Sequence, residues 1–178
     1  MTENADANLV AAAQKGDAES FSRLCEHYYS ALVAIAYVQL TDRGMAEDAA
    51  QEALLAAYRD IARLKKPDCF AQWLTAICRN IAIDMAKVRA REKHAESVDC
   101  SCALSTSRHE SDTVDVVRQI ISRLEPAMRE VIYLRYYSRM SYDRIAHVLG
   151  ISEEAVNGRL RRARDRIRRQ LPRGYRRS

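Results

Sequence analysis

The strongest constraint on the fold comes from residues 141–164, where two helical patterns meet at a glycine. Ala146 is small where two crossing helices must approach closely, and Gly150 lies where the chain has to turn. Apolar residues at helical spacing hold the two segments together: Ile145, Leu149, Ile151, Val156 and Leu160. This pattern predicts a helix-turn-helix whose second helix presents an outer face to a DNA major groove. The outer face consists of Ser152, Glu153, Glu154, Asn157, Gly158 and Arg161.

Positive charge is concentrated in the residues that end the chain, from position 159 onward. Residues 159–178 contain ten arginines and one acid, Asp165, although the net charge of the whole chain is only +5. A solvated helix face usually carries both signs of charge, whereas a run of one sign indicates a polyanionic partner. We therefore expect nucleic acid to be bound at this end of the chain.

Composition predicts an all-α fold. The chain has three prolines and five glycines, and it is rich in alanine, leucine, arginine and glutamate, which favour helices. No segment approaches the roughly eighteen apolar residues that a membrane span requires. The first residues lack the basic-then-apolar order of a signal peptide. We expect no membrane insertion, a cytoplasmic location and reduced cysteines.

Two groups of helical patterns are separated by a polar, serine-rich segment. In the first group, one apolar stripe includes Phe21, Leu24 and Tyr28, and a later helix starts near Phe70. Between them, a helix from Met45 to about Leu64 is expected to turn these residues inward: Ala49, Leu54, Tyr58, Ile61 and Ala62. In the second group, Pro126 suits the first turn of a helix, and Ser141 and Ser152 suit N-caps. We predict two small helical domains, 1–93 and 112–178, joined by a flexible linker, 94–111, with the helix-turn-helix in the second domain.

Each predicted domain carries a motif that is similar to those of a known family. The first motif combines Ala46-Glu-Asp-Ala-Ala-Gln-Glu with Phe70-x-x-Trp-Leu-x-x-Ile-x-Arg-Asn-x-x-x-Asp84. The second combines Leu124-Glu-Pro-Ala-Met-Arg-Glu-Val-x-x-Leu-Arg-Tyr with Ser141-Tyr-x-x-Ile-Ala-x-x-Leu-Gly-Ile-Ser and Val156-x-x-Arg-Leu-x-Arg-Ala-Arg. Over residues 9–171 the chain resembles bacterial RNA polymerase sigma factors of the sigma-70 family, in their extracytoplasmic-function (ECF) group.

The resemblance implies that the second domain is sigma domain 4, which reads the −35 promoter element. The stretch that would contact bases and phosphates contains Asn157, Gly158, Arg161 and Arg162. Arginine can bond guanine bidentately, and asparagine can bond adenine in the same way. Glu153 and Glu154 either accept from cytosine amino groups or only favour the positive helix N-terminus. The arginines beyond Arg164 are expected to contact phosphates, which orient a protein on DNA without specifying sequence.

The chain departs from the family in the reading helix. Sigma factors of this group commonly have Thr-Val-Lys-Ser-Arg-Leu where this chain has Ala155-Val-Asn-Gly-Arg-Leu. Gly158 costs about 1 kcal/mol relative to alanine inside a helix. It also removes a side chain from the reading face, so the preferred −35 sequence does not follow from the family.

The resemblance also implies that the first domain is sigma domain 2, which binds the −10 element. Its specificity loop, where an unstacked base is captured, corresponds to Lys65, Lys66, Pro67, Asp68 and Cys69. The neighbouring path of the single strand corresponds to Arg79 and Asn80, followed by Lys87, Arg89, Arg91 and Lys93. Phe70 and Trp73 suit stacking on bases, but their spacing favours core packing instead. Asp84 is expected to pair with a nearby arginine.

Asp48, Gln51 and Glu52 lie on one face of a predicted helix. Taken alone, such a face is usually just solvated. The resemblance assigns it to the surface that docks on the clamp helices of the polymerase β′ subunit, and it implies core RNA polymerase (β′ clamp helices and β flap) and promoter DNA as partners. It also allows for an anti-sigma partner that covers both domains.

Cys100 and Cys102, with His94 and His109 nearby, suggest a redox or zinc switch, but the spacing is not that of structural zinc sites. We expect no metal and no cofactor. Phosphate-binding glycine loops, nucleophile elbows and metal-ligand sets do not occur in the sequence, which argues against an enzyme. The predicted function is therefore promoter-directed transcription initiation as an ECF sigma factor. The alternative is a helix-turn-helix regulator that acts without joining the polymerase.

Overall fold

The computed structural model describes residues 2–96 and 112–171, with side chains over 6–92 and 116–171. All regular secondary structure in these ranges is helical, which confirms the predicted fold class. The first half consists of α1 (Thr2–Ala13), α2 (Ala18–Leu40), α3 (Arg43–Asp60), two short turns (Ile61–Arg63 and Pro67–Cys69) and α4 (Phe70–Glu96). The second half consists of α5 (Asp112–Ser122), α6 (Pro126–Ile132), a π-helical turn (Tyr133–Tyr137), α7 (Tyr142–Leu149) and α8 (Glu153–Gln170).

Helix α2 forms the centre of the first half. Asp17 caps its N-terminus, because one carboxylate oxygen accepts from the Glu19 backbone N–H at 3.1 Å and the other accepts from Ser20 Oγ at 2.6 Å. The predicted apolar stripe is buried along the whole helix: Phe21, Leu24, Tyr28, Ala31, Leu32 and Ile35. The capped start and the long buried stripe explain why this segment forms a helix of 23 residues.

Helix α3 packs against α2 and α4 through small side chains. Its buried residues are Ala46, Ala49, Ala50, Ala53 and Ala57. This alanine stripe lets three helices approach closely, and it turns Tyr58 outward, where 53% of its surface is exposed. The prediction that Ala62 faces the core was therefore wrong, and Leu54 is only half-buried. Tyr58 meets the core with one edge only, where its ring contacts the buried Phe21 ring at a centroid distance of 4.9 Å.

The helix-turn-helix in the second half forms as predicted. Gly150 ends α7 with φ +65°, a left-handed conformation that favours glycine. Ser152 then caps α8 by accepting from the Ala155 backbone N–H at 3.2 Å. Ile145, Val156 and Leu160 are fully buried between the two helices. Ser141 lies at the predicted cap of α7, but its side chain makes no capping hydrogen bond.

The two halves pack directly on each other. Asp6 of α1 is buried at their boundary, where its carboxylate accepts from the Tyr28 hydroxyl at 2.6 Å and from Arg144 Nη1 at 3.0 Å. The Arg144 guanidinium also lies 4.6 Å from the centre of the Tyr28 ring. Elsewhere along this boundary, Arg79 Nε of α4 donates to Glu130 Oε1 of α6 at 3.0 Å. Charged groups from both halves are thus neutralised across one continuous boundary.

Asp6→Asn is expected to remove a pH-dependent part of the stability. Burial raises the pKa of the Asp6 carboxyl, but hydrogen bonds from Tyr28 and Arg144 outweigh it and hold that pKa below its usual 3.8. A carboxyl with a lowered pKa stabilises the fold fully above its unfolded-state pKa and loses this effect as the pH falls through the folded-state value. We expect Asp6→Asn to lower the free energy of unfolding by about 1–3 kcal/mol at neutral pH. In urea denaturation, this difference should shrink as the pH falls from about 5 toward about 2, and a constant difference would contradict the assignment.

Helices long and apolar enough to cross a membrane do not occur in the part of the chain that the structure describes.

Candidate promoter and polymerase interfaces

Helix α8 separates an apolar inner face from a polar outer face. Val156, Leu160 and Ala163 are buried against the rest of the helix-turn-helix. The predicted reading face lies on the other side, with these side chains exposed: Ser152, Glu153, Glu154, Asn157, Arg161 and Arg162. Gly158 is half-buried between them. The structure therefore brings six of the seven predicted −35 residues to one side of α8, with the seventh, Ser152, at its N-cap.

The acids at the start of α8 also suit the helix terminus. Glu153 and Glu154 occupy its first turn. The Glu154 carboxylate accepts hydrogen bonds from the Glu154 backbone N–H and from Ser152. These bonds hold the pKa of the Glu154 carboxyl below its usual 4.5. A charged Glu154 at this position stabilises the positive end of the helix. The capping role of Glu154 therefore has structural support, whereas its role toward cytosine stays a prediction.

The arginines of α8 differ in what they already bind. Arg164 Nε donates to the Leu160 carbonyl at 3.3 Å, and Arg166 Nη1 donates to Glu125 Oε1 at 3.4 Å. Asn157, Arg161, Arg164, Asp165 and Arg168 together line a shallow groove on the outside of the helix. Such a groove, with arginine heads and one asparagine, can hydrogen-bond both base edges and phosphates.

Gly158→Ala is expected to stabilise the protein. A methyl group at this position would meet only the end of the Arg162 side chain, at 3.5 Å, which is ordinary contact. Glycine is less favourable than alanine in a helix by about 0.8–1.0 kcal/mol. We expect the free energy of unfolding in urea to rise by about 0.5–1 kcal/mol. The reverse change Ala155→Gly in the same helix serves as the control and should lower it, and a destabilised Gly158→Ala would show that packing requires this glycine.

The predicted −10 loop lies between α3 and α4. Lys65, Lys66, Asp68 and Cys69 are exposed, and Pro67 begins a short turn that leads directly into α4. Phe70 then anchors the loop, because its ring is buried against Tyr28 at a centroid distance of 5.6 Å. Trp73 is half-buried against the same core. Core packing of Phe70 and Trp73, the reading that their spacing favoured, is confirmed.

Arg79 and Asn80 occupy different environments on α4. Asn80 is exposed, whereas Arg79 is bound to Glu130 from the second half of the chain. Nearby, Arg89 approaches Asp42 at 3.8 Å, and Asp84 pairs with Lys87 at 2.9 Å. The expectation that Asp84 pairs with an arginine was wrong, because Asp84 pairs instead with Lys87, about one turn further along the same helix.

Helix α3 presents a mixed acidic and apolar stripe to solvent. Asp48, Gln51 and Glu52 are exposed on its outer face, as predicted. Leu55 and Tyr58 lie on the same face, about one and two turns after Glu52. Of the Leu55 surface, 60% is exposed. Exposed apolar side chains with polar residues around them are typical of a protein-binding surface. The sequence contains a signal for Leu55, since residues 48, 52 and 55 follow helical spacing.

Groups of three or more histidine, cysteine or acidic side chains that could hold a metal are not found among the described residues. Cys78 is buried, and desolvation raises the pKa of its thiol to about 12, so it remains protonated at neutral pH. His94, Cys100, Cys102 and His109 were the residues considered for a redox or zinc switch; their side chains lie outside the described residues.

Models of two regions of one family match this chain. They are Sigma-70 region 2 over residues 24–92 and Sigma-70, region 4 over residues 115–167. The first segment contains the predicted −10 loop and the outer face of α3, and the second contains the predicted reading face of α8. Lys93 and Arg168, which were also predicted to contact DNA, lie just outside the two matches.

Individual relatives are similar over most of the chain. The probable RNA polymerase sigma factor RfaY of Xanthomonas campestris is 31% identical over 89% of this chain, which spans 42% of that relative. The ECF RNA polymerase sigma factor SigW of Bacillus subtilis is 28% identical, covering 89% of this chain and 92% of the relative. The solved structure of CnrH in complex with the cytosolic domain of CnrY has a TM-score of 0.59 and 28% identity, covering 92% of this chain and 94% of that one. With regions 2 and 4 both present and in the family order, the chain belongs to the sigma-70 family as an ECF RNA polymerase sigma factor, a non-catalytic polymerase subunit that directs promoter-specific transcription initiation.

Proposed function

We propose that this sigma factor reads the −35 element with the outer face of α8 and captures the −10 element at the loop before α4. In the first contact, Asn157, Arg161 and Arg162 meet base edges and nearby phosphates, with Ser152, Glu153, Glu154 and Gly158 beside them. Arginines further along α8 hold the phosphate backbone and orient the helix. The supporting observation is the exposure of this face while the opposite face is buried in the core.

The −10 contact uses the residues that link α3 to α4. Lys65 and Lys66 supply positive charge, and Asp68 supplies hydrogen-bond acceptors for an unstacked base. Because buried Phe70 anchors the end of the loop, the loop is held at a defined position on the helical bundle. Arg79 and Asn80 extend the contact along the single strand, provided that Arg79 leaves Glu130.

Core RNA polymerase is bound through α3 in this proposal. Asp48, Gln51 and Glu52 meet the β′ clamp helices, and the second domain meets the β flap. An acidic surface on a protein with net charge +5 suits a protein partner of opposite charge. A protein inhibitor that covers both domains is the third partner we propose, in analogy with CnrH, whose solved structure includes the cytosolic domain of CnrY.

Reconstitution with core RNA polymerase tests this function. The purified chain should co-elute with the core enzyme in gel filtration, and the complex should initiate transcription at promoters where core enzyme alone does not. A chain that binds duplex DNA tightly by itself but never joins the core would instead support the helix-turn-helix regulator.

Leu55→Ser is expected to weaken core binding without harming the fold. Leu55 is exposed on the same face as Glu52, so its apolar surface is buried only when a partner covers α3. Loss of such a contact costs about 1–2 kcal/mol, or roughly tenfold in Kd. Fluorescence anisotropy with labelled protein measures this change, and urea denaturation of the same variant checks that the fold is unharmed. Unchanged affinity for Leu55→Ser would remove this residue from the interface.

A further inference from the structure

The end of α1 lies against the segment that leads into the −10 loop. Gln14 follows Ala13, the last residue of α1, and its backbone N–H donates to the Val10 carbonyl at 2.9 Å, so it continues the helical geometry. Val10 and Ala13 are buried, which fixes this end of α1 on the helical bundle. The Gln14 side chain therefore leaves α1 from a defined position.

The Gln14 amide binds two backbone carbonyls at once. Its Nε2 donates to the Ile61 carbonyl at 3.0 Å and to the Leu64 carbonyl at 2.7 Å. The amide nitrogen carries two hydrogens, so one side chain can satisfy both acceptors. Leu64 comes directly after the short turn Ile61–Arg63, where a carbonyl no longer has a helical N–H to accept from. Gln14 thus caps this turn from a position 47 and 50 residues earlier in the chain.

The Leu64 carbonyl belongs to the peptide group that joins Leu64 to Lys65, the first residue of the −10 loop. Because a peptide group is planar, a hydrogen bond to its carbonyl also fixes the direction in which the next residue leaves. Gln14 therefore holds the start of the loop, and the buried ring of Phe70 holds its end. Residues 65–69 run between these two anchors.

Gln14 occupies a position where an apolar side chain would ordinarily pack. Residues four apart share one face of a helix, and Val10, four residues earlier, is completely buried. Gln14 is half-buried on this face, yet it places an amide between α1 and the turn Ile61–Arg63. Burying a polar group is unfavourable unless its hydrogen bonds are made. The two carbonyls that it binds therefore account for a glutamine at this position.

We propose that Gln14 is a positioning residue for recognition of the −10 element, because it holds the peptide group between Leu64 and Lys65. Residues 65–69 then present a single arrangement of donors and acceptors to the captured base. The inference rests on the proposed role of this loop as the −10 contact. Discrimination between bases requires groups held to within about 0.5 Å. Base selectivity is thereby set partly by α1, which contacts no DNA in this proposal.

Hydrogen exchange on the free full-length chain tests whether Gln14 holds the loop. Gln14→Met keeps the length of the side chain and removes both donors. The reporters are the Leu64 and Cys69 amides, which donate to the Ile61 and Lys66 carbonyls at 3.1 and 3.0 Å. We expect them to exchange about tenfold faster in Gln14→Met, with little change elsewhere in the chain. Unchanged exchange at both amides would overturn the proposal.

Gln14→Lys is the variant that should restore the loop. Its ammonium group has three hydrogens on a flexible stem, so it can again donate to the carbonyls of Ile61 and Leu64. We expect exchange of the loop amides to return close to the wild-type rate. Exchange as fast as in Gln14→Met would show that donation to the carbonyls is not what holds the loop, and the proposal fails.

Base selectivity of the assembled polymerase tests the consequence for promoter recognition. Promoter DNAs that differ at a single −10 position compete for the enzyme, and the ratio of the best-bound to the worst-bound base is measured at each position. Gln14→Met should lower the largest ratio by about fivefold, because a mobile loop loses part of one base contact. Gln14→Lys should keep that ratio, since an added charge strengthens binding to all the DNAs alike and cancels.

Selectivity at the −35 element is the internal control, because α8 does not contact the Gln14 amide in this proposal. It should stay at the wild-type level in Gln14→Met. Gln39→Met is the matched control, since it makes the same change at a half-buried glutamine of α2. Its neighbour Leu40 accepts from Arg89, which lies about 28 Å along α4 from Phe70. Equal losses at both elements, or equal losses in both variants, would mean general loosening of the fold and would overturn the positioning role.

The outcomes separate this inference from the proposed function. If the wild-type polymerase has no base preference within the −10 element, the proposed role of the loop fails, and this inference fails with it. If the wild-type polymerase discriminates between bases and Gln14→Met discriminates equally well, the inference alone fails. Faster exchange together with reduced −10 selectivity, both restored in Gln14→Lys, supports it.

Discussion

Charge reversal at Asp48 and Glu52 is expected to abolish assembly with core RNA polymerase. The double variant Asp48→Lys/Glu52→Lys replaces two exposed acids on the outer face of α3 by bases. If the clamp helices of the polymerase present positive charge there, attraction becomes repulsion at two positions. We expect a loss of about 3 kcal/mol or more, which is on the order of 100-fold in Kd. Gel filtration and anisotropy with labelled protein measure the loss directly.

The matched control is Glu19→Lys/Glu26→Lys, which makes the same change in net charge on α2. Both of these acids are exposed, and neither lies on α3. The control should keep near wild-type affinity for the core enzyme, although loss of the exposed Glu19–Arg23 ion pair, whose N–O distance is 3.5 Å, should lower its stability slightly. Equal losses in the two double variants would mean that total charge, rather than the α3 face, governs assembly.

Arg161→Ala and Arg168→Ala are expected to affect promoter recognition in different ways. Arg161 lies among the exposed residues of the reading face, whereas Arg168 lies almost two turns further along α8. Loss of a bidentate contact to guanine removes about 1–3 kcal/mol of discrimination at one base pair. Loss of a phosphate contact weakens binding evenly across sequences and lowers the salt slope by about one.

Competition among −35 sequence variants, with the assembled polymerase at several salt concentrations, distinguishes these effects. Arg161→Ala should relax preference at one position of the element, by up to about 100-fold. Arg168→Ala should leave the preference intact. Identical behaviour of the two variants would show that α8 lies differently in the groove than proposed.

Much of the fold followed from local sequence. Asp17, Gly150 and Ser152 mark helix ends because each residue satisfies or permits one specific backbone geometry, whatever surrounds it. The buried stripe of α2 and the exposed face of α8 likewise follow from helical spacing. The family was also recognisable at this level, because its two motifs consist of residues close together in the chain.

The errors lie where neighbouring helices decide the outcome. Tyr58 has the right spacing for a core residue, but the alanine stripe brings α2 and α4 so close to α3 that the large side chain is turned outward. The direction in which Tyr58 points is set by packing between helices, which is not visible in periodicity. Asp84 is a different case, because Lys87 lies three residues along the same helix and the spacing alone already allowed this pair.

Local patterning alone determined the helical elements, the helix-turn-helix, the basic reading face and membership of the family, since each depends on residues within a few turns of one another. Only the tertiary structure decided which residues of the first half contact which residues of the second. Asp6 meets Arg144 across 138 positions of sequence, and Arg79 meets Glu130 across 51. Nothing in the spacing of these residues encodes their pairing, because it arises from the burial of charges when two independently patterned helix groups come into contact.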